Sequence, residues 1–296
     1  MENMVDNNKG FQIFVNAFFV FLVFICVMPF ILLISSSVTE ESHLIKEGYG
    51  FIPKAVSWDA YKYLLVDSKA VVRGYMISIF QTIVGTLCNL IITTLLAYPL
   101  SRKDLPGRGV IAFIVFFTML FNGGLVPSYM MWTQVFKIKN TFWALILPNL
   151  MMGAFYVIMM RTYFTSNIPE ALIDAAKIDG AGEVRILLQV VLPMSTPIIA
   201  TLALLTGLNY WNDWLNGLYY VNKDSLYSIQ VFLYQMLMKA DFLRSSAASA
   251  LPVGVKLPAV GIKMAVAVLG SVPMLIVYPF FQRYFVKGIT IGSVKG

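Results

Sequence analysis

Residues 74–100 read GYMISIFQTIVGTLCNLIITTLLAYPL, a run without a single Asp, Glu, Lys, Arg or His. About 20 predominantly apolar residues let a helix cross roughly 30 Å of hydrocarbon, and a helix satisfies its own backbone there. The run Gly74–Leu100 is therefore predicted to be a membrane span. Five further runs have the same character: Phe11–Ser37, Val110–Thr133, Thr141–Met160, Thr196–Trp211 and Met264–Gln282. The fifth of the six, Thr196–Trp211, is short unless it begins a few residues earlier. Composition agrees, with 58% of residues hydrophobic and 12% charged, where soluble domains carry about 25% charged residues. The first run is longer than the apolar region of a signal peptide and shows no obvious cleavage site before Ser35, so it is expected to be retained.

The net charge of +7 comes from basic residues dispersed among the loops. A nucleic-acid surface would need them clustered on one face. Cys26 and Cys88 both lie inside apolar runs and read as small hydrophobes rather than a disulfide framework. The single histidine, His43, sits in a polar loop beside Glu41 and Ser42, away from any metal-binding pattern. None of the six runs carries an ionisable Asp, Glu, Lys, Arg or His. This argues against a proton-coupled or ion-coupled carrier, which keeps such groups inside the membrane. The polar residues inside the runs are neutral, among them the amides Gln12, Asn16, Gln81, Asn89, Asn122, Asn149 and Asn209. Amides can line a path for a neutral, hydroxyl-rich solute, and they can equally bond helix to helix. Asn89, Asn149 and Asn209 are the candidates for the path.

Six crossings put both ends on one side. With the ends inside, 10 Lys and Arg fall inside and 12 outside, so the raw count does not decide. The positive-inside bias acts through short segments near spans. The hairpin Ser101–Gly109 holds Arg102, Lys103 and Arg108 against Asp104, and the segment after Gln282 holds Arg283, Lys287 and Lys295 with no acid. Both favour the cytoplasm. The chain then divides into a cytoplasmic N-terminus at 1–10 and a six-span body at 11–296. The body includes a cytoplasmic loop at 161–195, an outer excursion at 212–263 and a cytoplasmic tail at 283–296. Within the excursion, Leu226–Met238 is apolar enough for a helix at the interface or dipping between spans.

The loop reads Ser166-Asn167-Ile168-Pro169-Glu170-Ala171-Leu172-Ile173-Asp174-Ala175-Ala176-Lys177-Ile178-Asp179-Gly180-Ala181-Gly182-Glu183 and continues to Val190-Val191-Leu192-Pro193. Ser166 or Asn167 can cap a helix whose first turn takes Pro169 and Glu170. Ile168, Leu172, Ala175 and Ala176 recur at helical spacing, and Gly180 and Gly182 stop the helix and permit a sharp turn. A second short helix runs to Leu192 and ends before Pro193. Two short helices at a glycine elbow result, and the paired alanines would let another protein approach closely.

This loop resembles the coupling loop of bacterial ABC importer permeases, whose pattern is Glu-Ala-Ala, three residues, Gly, nine residues, Ile, one residue, Leu-Pro. Here Asp174-Ala175-Ala176, Gly180, Val190 and Leu192-Pro193 stand at the matching spacings, with Asp174 in place of Glu and Val190 in place of Ile. Pro29, Asn122-Gly123-Gly124-Leu125-Val126-Pro127, Asn140-Thr141-Phe142-Trp143-Ala144 and Trp211-Asn212-Asp213-Trp214 also look like segments of that family. The tail Lys287–Gly296 resembles that of the MalG-like subunits. The branch looks like the LplC-type carbohydrate-uptake permeases.

The resemblance implies an all-α integral membrane protein of the type I importer permease (MetI-like) fold with six transmembrane helices. It implies a bacterial cell-membrane location with both termini cytoplasmic. The function it implies is ATP-driven, binding-protein-dependent uptake of a sugar or oligosaccharide. The implied partners are a second homologous permease subunit, a cytoplasmic ATPase dimer and an extracellular solute-binding lipoprotein. Glu170, Asp174, Ala175, Ala176, Gly180, Val190, Leu192 and Pro193 would meet the ATPase, and Lys295 and Gly296 would reach it from the tail, unless the tail is a frayed end. The chain itself would be a transporter subunit and not an enzyme. A phosphate loop needs Gly, four residues, then Gly-Lys-Ser/Thr, and Gly254–Gly261 has the wrong spacing. No cofactor is therefore expected in this chain, with ATP and Mg left to the partner ATPase. A secondary carrier and a membrane enzyme are the competing readings. The uncharged spans and missing inverted repeat count against the first, and the missing catalytic constellation counts against the second.

Overall fold

The computed structural model describes residues 9–66, 68–247 and 259–293. The uncharged runs become helices, because hydrocarbon leaves the backbone only itself to bond. In chain order the α-helices are α1 (Lys9–Ser37), α2 (Glu41–Glu47), α3 (Asp59–Leu65), α4 (Ser68–Ser101), α5 (Arg108–Leu120), α6 (Leu125–Met130), α7 (Ala154–Asn167), α8 (Glu170–Ile178), α9 (Glu183–Ile186), α10 (Leu192–Met194), α11 (Thr196–Trp211), α12 (Leu215–Tyr220), α13 (Ile229–Ala247) and α14 (Ala259–Ser293). Among the described residues there is no β-strand, only an isolated bridge between Thr39 and Val56.

The chain forms two compact units. The first takes in residues to Ser68 and Leu233–Val272. Its α1 is exposed along nearly its whole length and becomes buried only at Ser35–Ser37. There the Ser35 hydroxyl donates to the Gly50 carbonyl at 2.8 Å. Ala60 and Leu64 of α3 pack with Ile262 and Ala265 of α14. The Glu41 carboxylate accepts the Val260 and Gly261 amides, both at 2.9 Å, where α14 begins, the end at which a helix favours negative charge.

The second unit takes in Lys69–Phe232 and the residues from Pro273. Its main core joins Ala97, Tyr98 and Leu100 of α4 with Val157, Met160 and Phe164 of α7, Ile173 of α8, Ile186 of α9 and Leu202 of α11. A smaller core gathers Ala144, Leu145, Tyr220 and Val221.

Among the described residues, three helices are long and apolar enough to cross a membrane: Lys9–Ser37, Lys69–Ser101 and Val260–Phe280. They match the predicted first, second and sixth spans, although α14 runs on to Ser293, so most of the segment taken for a simple tail is helical. Of the other three runs, two are broken and one is a single helix with a bend before it. Val110–Thr133 is not one helix: Arg108–Leu120 and Leu125–Val135 meet at 113°. Between them the Asn122 side chain accepts the Gly124 amide at 2.8 Å, and Gly124 takes φ +86°, which glycine adopts without strain. Thr196–Trp211 is a helix as predicted, but it does not begin earlier, because Glu183–Met194 meets it at 81°. Counting each bent pair as one span gives up to five crossings.

The predicted fourth span, Thr141–Met160, departs furthest. A 3₁₀ turn at Phe142–Leu145 gives way to irregular backbone until α7 starts at Ala154. Pro148 cannot donate a helical bond and crowds the turn before it, and Asn149 takes φ +62°. Two more boundaries move. Arg161–Asn167 belongs to α7 rather than to the loop, and the excursion helix is Ile229–Ala247 rather than Leu226–Met238.

Candidate functional site

Two places in the second unit carry the chemistry singled out above. One is the Pro169–Pro193 hairpin. Pro169 is itself the N-cap of α8, and no side chain caps that helix. Asn167 instead donates to the Tyr163 carbonyl at 3.3 Å, so the expected Ser166 or Asn167 cap is not made. The elbow closes as a Schellman motif. The Gly180 amide donates to the Lys177 carbonyl at 3.0 Å and the Ala181 amide to the Ala176 carbonyl at 2.9 Å. Gly180 has φ +77°, and a Cβ there would meet no atom within 4 Å, so glycine is required by the backbone and not by crowding. The second arm continues through a π-turn at Leu187–Val191 into α10, passing Pro193 and stopping at Ser195.

The expected single face of Ile168, Leu172, Ala175 and Ala176 is split. Ile168, Ile173 and Ala176 turn to the core, joined by Ile186, Leu187, Val190, Val191 and Leu192. Leu172, Asp174 and Ala175 are exposed, as are Pro193, Val184 and Ile178, the last with 86% of its surface free. The hairpin is thus seated on its own unit by one side and presents Leu172, Ala175, Ile178 and Val184 outward among exposed charges that include Asp174, Asp179 and Arg185.

Charged groups fasten it to the turn after α4. Lys103 reaches Glu170 at 2.8 Å, and Lys177 reaches Asp104 at 3.2 Å and Glu183 at 3.4 Å. The Lys103 ammonium holds the Glu170 carboxyl below its ordinary value, and the Lys177 ammonium does the same for Asp104. Sequence reading missed this contact, although opposite charges at 102–104 and in the loop are its visible signal.

The second place is the irregular stretch 146–153. The carbonyls of Ile146, Pro148 and Leu150 lack helical partners, and distant side chains bond them, with the Leu150 amide also reaching Pro148 at 2.8 Å. Tyr210 donates its hydroxyl to the Ile146 carbonyl at 3.0 Å, Asn216 its amide to Pro148 at 2.9 Å, and Asn89 its amide to Leu150 at 2.8 Å. Gln81 spreads longer contacts over the Leu145 and Tyr210 carbonyls and the Asp213 carboxylate, at 3.4, 3.3 and 3.4 Å. Asn89 is 1% exposed, so it is a backbone clamp. Asn149 and Asn209 are both exposed and line a cavity of about 390 Å³ with Met119, Tyr156 and Thr206. Asn209 donates to the Tyr156 hydroxyl at 2.7 Å. A larger cavity of about 690 Å³ between α4, α11 and α14 is lined by Ile79, Ile83, Leu87, Leu204, Trp211 and other mostly apolar side chains. Lys295 and Gly296 lie outside the described residues.

Long apolar helices and spans broken by non-helical backbone define a multi-pass helical membrane protein. Residues 70–291 match the family of binding-protein-dependent transport system inner membrane components, and the chain belongs to that family. It is similar to the polygalacturonan/rhamnogalacturonan transport system permease protein YtcP of Bacillus subtilis (strain 168), with 37% identity covering 98% of this chain and 99% of that protein. It is also similar to Protein LplC of the same organism, at 37% identity over 92% and 90% of the two chains. Among solved structures it resembles a bacterial ABC transporter involved in the import of the acidic polysaccharide alginate, with TM-score 0.76, 28% identity, and 94% and 98% of the two chains covered. The chain is a permease subunit of an ABC importer, a membrane component without catalytic activity of its own.

Proposed function

We propose that this permease admits a sugar or oligosaccharide and is driven by a separate ATPase that grips the Pro169–Pro193 hairpin from the cytoplasm, with both termini on that side. The observation that carries the reading is the two-sided hairpin. Its core side is anchored, its outer side shows Leu172, Ala175, Ile178 and Val184 to solvent, and Gly180 leaves the elbow open. A rigid helical hairpin can pass motion on as a body. A homologous second permease and an external binding lipoprotein complete the assembly, as the family implies, and ATP and Mg are bound by the ATPase.

Asn149 and Asn209, at the polar cavity, are the residues offered to the passing solute, while Asn89 holds the backbone beside it. The amide and hydroxyl lining suits a hydroxyl-rich solute, and the larger, mostly apolar cavity does not. One relative is named for polygalacturonan and rhamnogalacturonan, another for arabinooligosaccharides, and the similar solved structure for the acidic polysaccharide alginate, so acidic and neutral saccharides both belong in the test. The complex is purified with its genomic neighbours, reconstituted, and offered labelled trigalacturonate, arabinotriose and maltotriose. ATP-dependent accumulation of at least one is expected. Accumulation that follows a proton gradient and ignores ATP would contradict the reading.

A further inference from the structure

The hairpin is continuous in backbone with α7 before it and α11 after it. Side chains join it to a third helix. Tyr98, in the last turn of α4 and 7% exposed, donates its hydroxyl to Glu183, the first residue of α9. Lys177, near the end of α8, bridges Asp104 and Glu183. Apolar side chains meet here too, Tyr98 sharing the main core with Ile186 and Leu187 beside an open cavity of about 410 Å³ lined by Leu95, Pro99, Pro106 and Val184. Apolar contact is non-directional. A charge-assisted hydrogen bond has a fixed length and direction.

We propose that Tyr98, Lys177 and Glu183 are positioning residues that form a strut, through which movement of the hairpin is delivered into α4. The proposal rests on reading the hairpin as the ATPase joint. α4 runs unbroken from Ser68 to Ser101 with Pro99 in its last turn, and a helix that runs unbroken can carry motion along its length. The same helix bears Asn89, which bonds Leu150 of the irregular stretch beside the polar cavity, and Gln81, which bonds Leu145 just before it. Motion entering at Tyr98 is therefore carried to the backbone that shapes the cavity. Cutting the strut would leave the ATPase attached and hydrolysing while that backbone follows less closely.

The test uses the assembled, reconstituted complex and whichever of the three labelled saccharides the unaltered complex accumulates. Saccharide imported per ATP hydrolysed and ATPase retained on purification are measured for Glu183→Ala, Tyr98→Phe and Glu183→Gln. Glu183→Ala is expected to lower the ratio at least threefold. Tyr98→Phe should lower it less, and Glu183→Gln least, because its amide oxygen still accepts the hydroxyl; all three should retain the ATPase. An unchanged ratio in both Glu183→Ala and Tyr98→Phe overturns the strut, as does loss of ATPase retention in those two variants. Should Glu183→Ala fail to reach the membrane, Tyr98→Phe decides alone, since it keeps the ring in its packing. Failure of the joint itself would show separately, as ATPase retention untouched by Ala175→Asp.

Discussion

The Pro169–Pro193 hairpin and the irregular stretch 146–153 are both departures from straight spans, and they are held in opposite ways. The hairpin closes on itself. Its turn is a Schellman motif between residues five apart, with Gly180 supplying the left-handed backbone. The stretch 146–153 has one bond within itself, from the Leu150 amide to Pro148, and is otherwise held from outside, by Tyr210, Asn216 and Asn89. A locally closed element survives being pushed, which suits a part that receives force. A stretch held by other helices shifts when they shift, which suits a part that must change shape.

The largest expected effect lies in the second region. Asn216 is 3% exposed and bonds the Pro148 carbonyl. Asn216→Leu removes that bond, leaves the carbonyl with the Leu150 amide alone and puts a branched apolar chain in the buried amide's place, at about 1–3 kcal/mol. A clear fall in melting temperature in detergent is expected. Unchanged melting would mean that the stretch is not held from outside. Next is Gly180→Ala, which meets no neighbour but must take a left-handed backbone, at roughly 1–2 kcal/mol. Gly180→Asn should be milder, because Asn tolerates that region. Equal effects of the two would remove backbone strain as the reason for glycine.

Asn209→Leu sharpens the contrast within the amides. Asn209 is exposed at the polar cavity, unlike the buried Asn89, so uptake should fall with melting unchanged, while Asn89→Leu should lower melting as well. The smallest effect is that of pH on the ties at the hairpin. Lys103 depresses the Glu170 carboxyl from 4.5. A depressed carboxyl contributes above its ordinary value and loses the contribution as pH falls through the folded one. Amide exchange of Glu170–Ile178, corrected for intrinsic rates, should stay flat at neutral pH and rise only in acid. A rise on going from about pH 8 to 6 would contradict the pairing.

What could be read from the sequence divides along the same line. α1, α4, α11 and α14 were legible because transfer into lipid depends on each run alone. The elbow at Gly180 was legible because its partners are local. The broken spans were not, because hydropathy scores Thr141–Met160 as a span whether or not its backbone is helical. What permits the break is amides and a hydroxyl more than 60 residues away in the chain. Pro148 and the Gly123-Gly124 pair were the available signals, since both residue types interrupt helices. The split of Ala175 from Ala176 followed only from seeing which side of α8 meets the core, and the Tyr98–Glu183 bond required the fold.

The central claim, that the outer side of the hairpin is where the ATPase holds this permease, is tested most directly at Ala175. Its side chain is exposed beside Leu172 and Ile178, whereas that of Ala176 packs against the core. In the complex purified through a tag on the permease, the amount of co-purifying ATPase is measured for Ala175→Asp against the unaltered chain. Loss of most of the ATPase, with the permease still in the membrane at its normal level and melting temperature, is the predicted result. Full retention of the ATPase by Ala175→Asp would contradict the account.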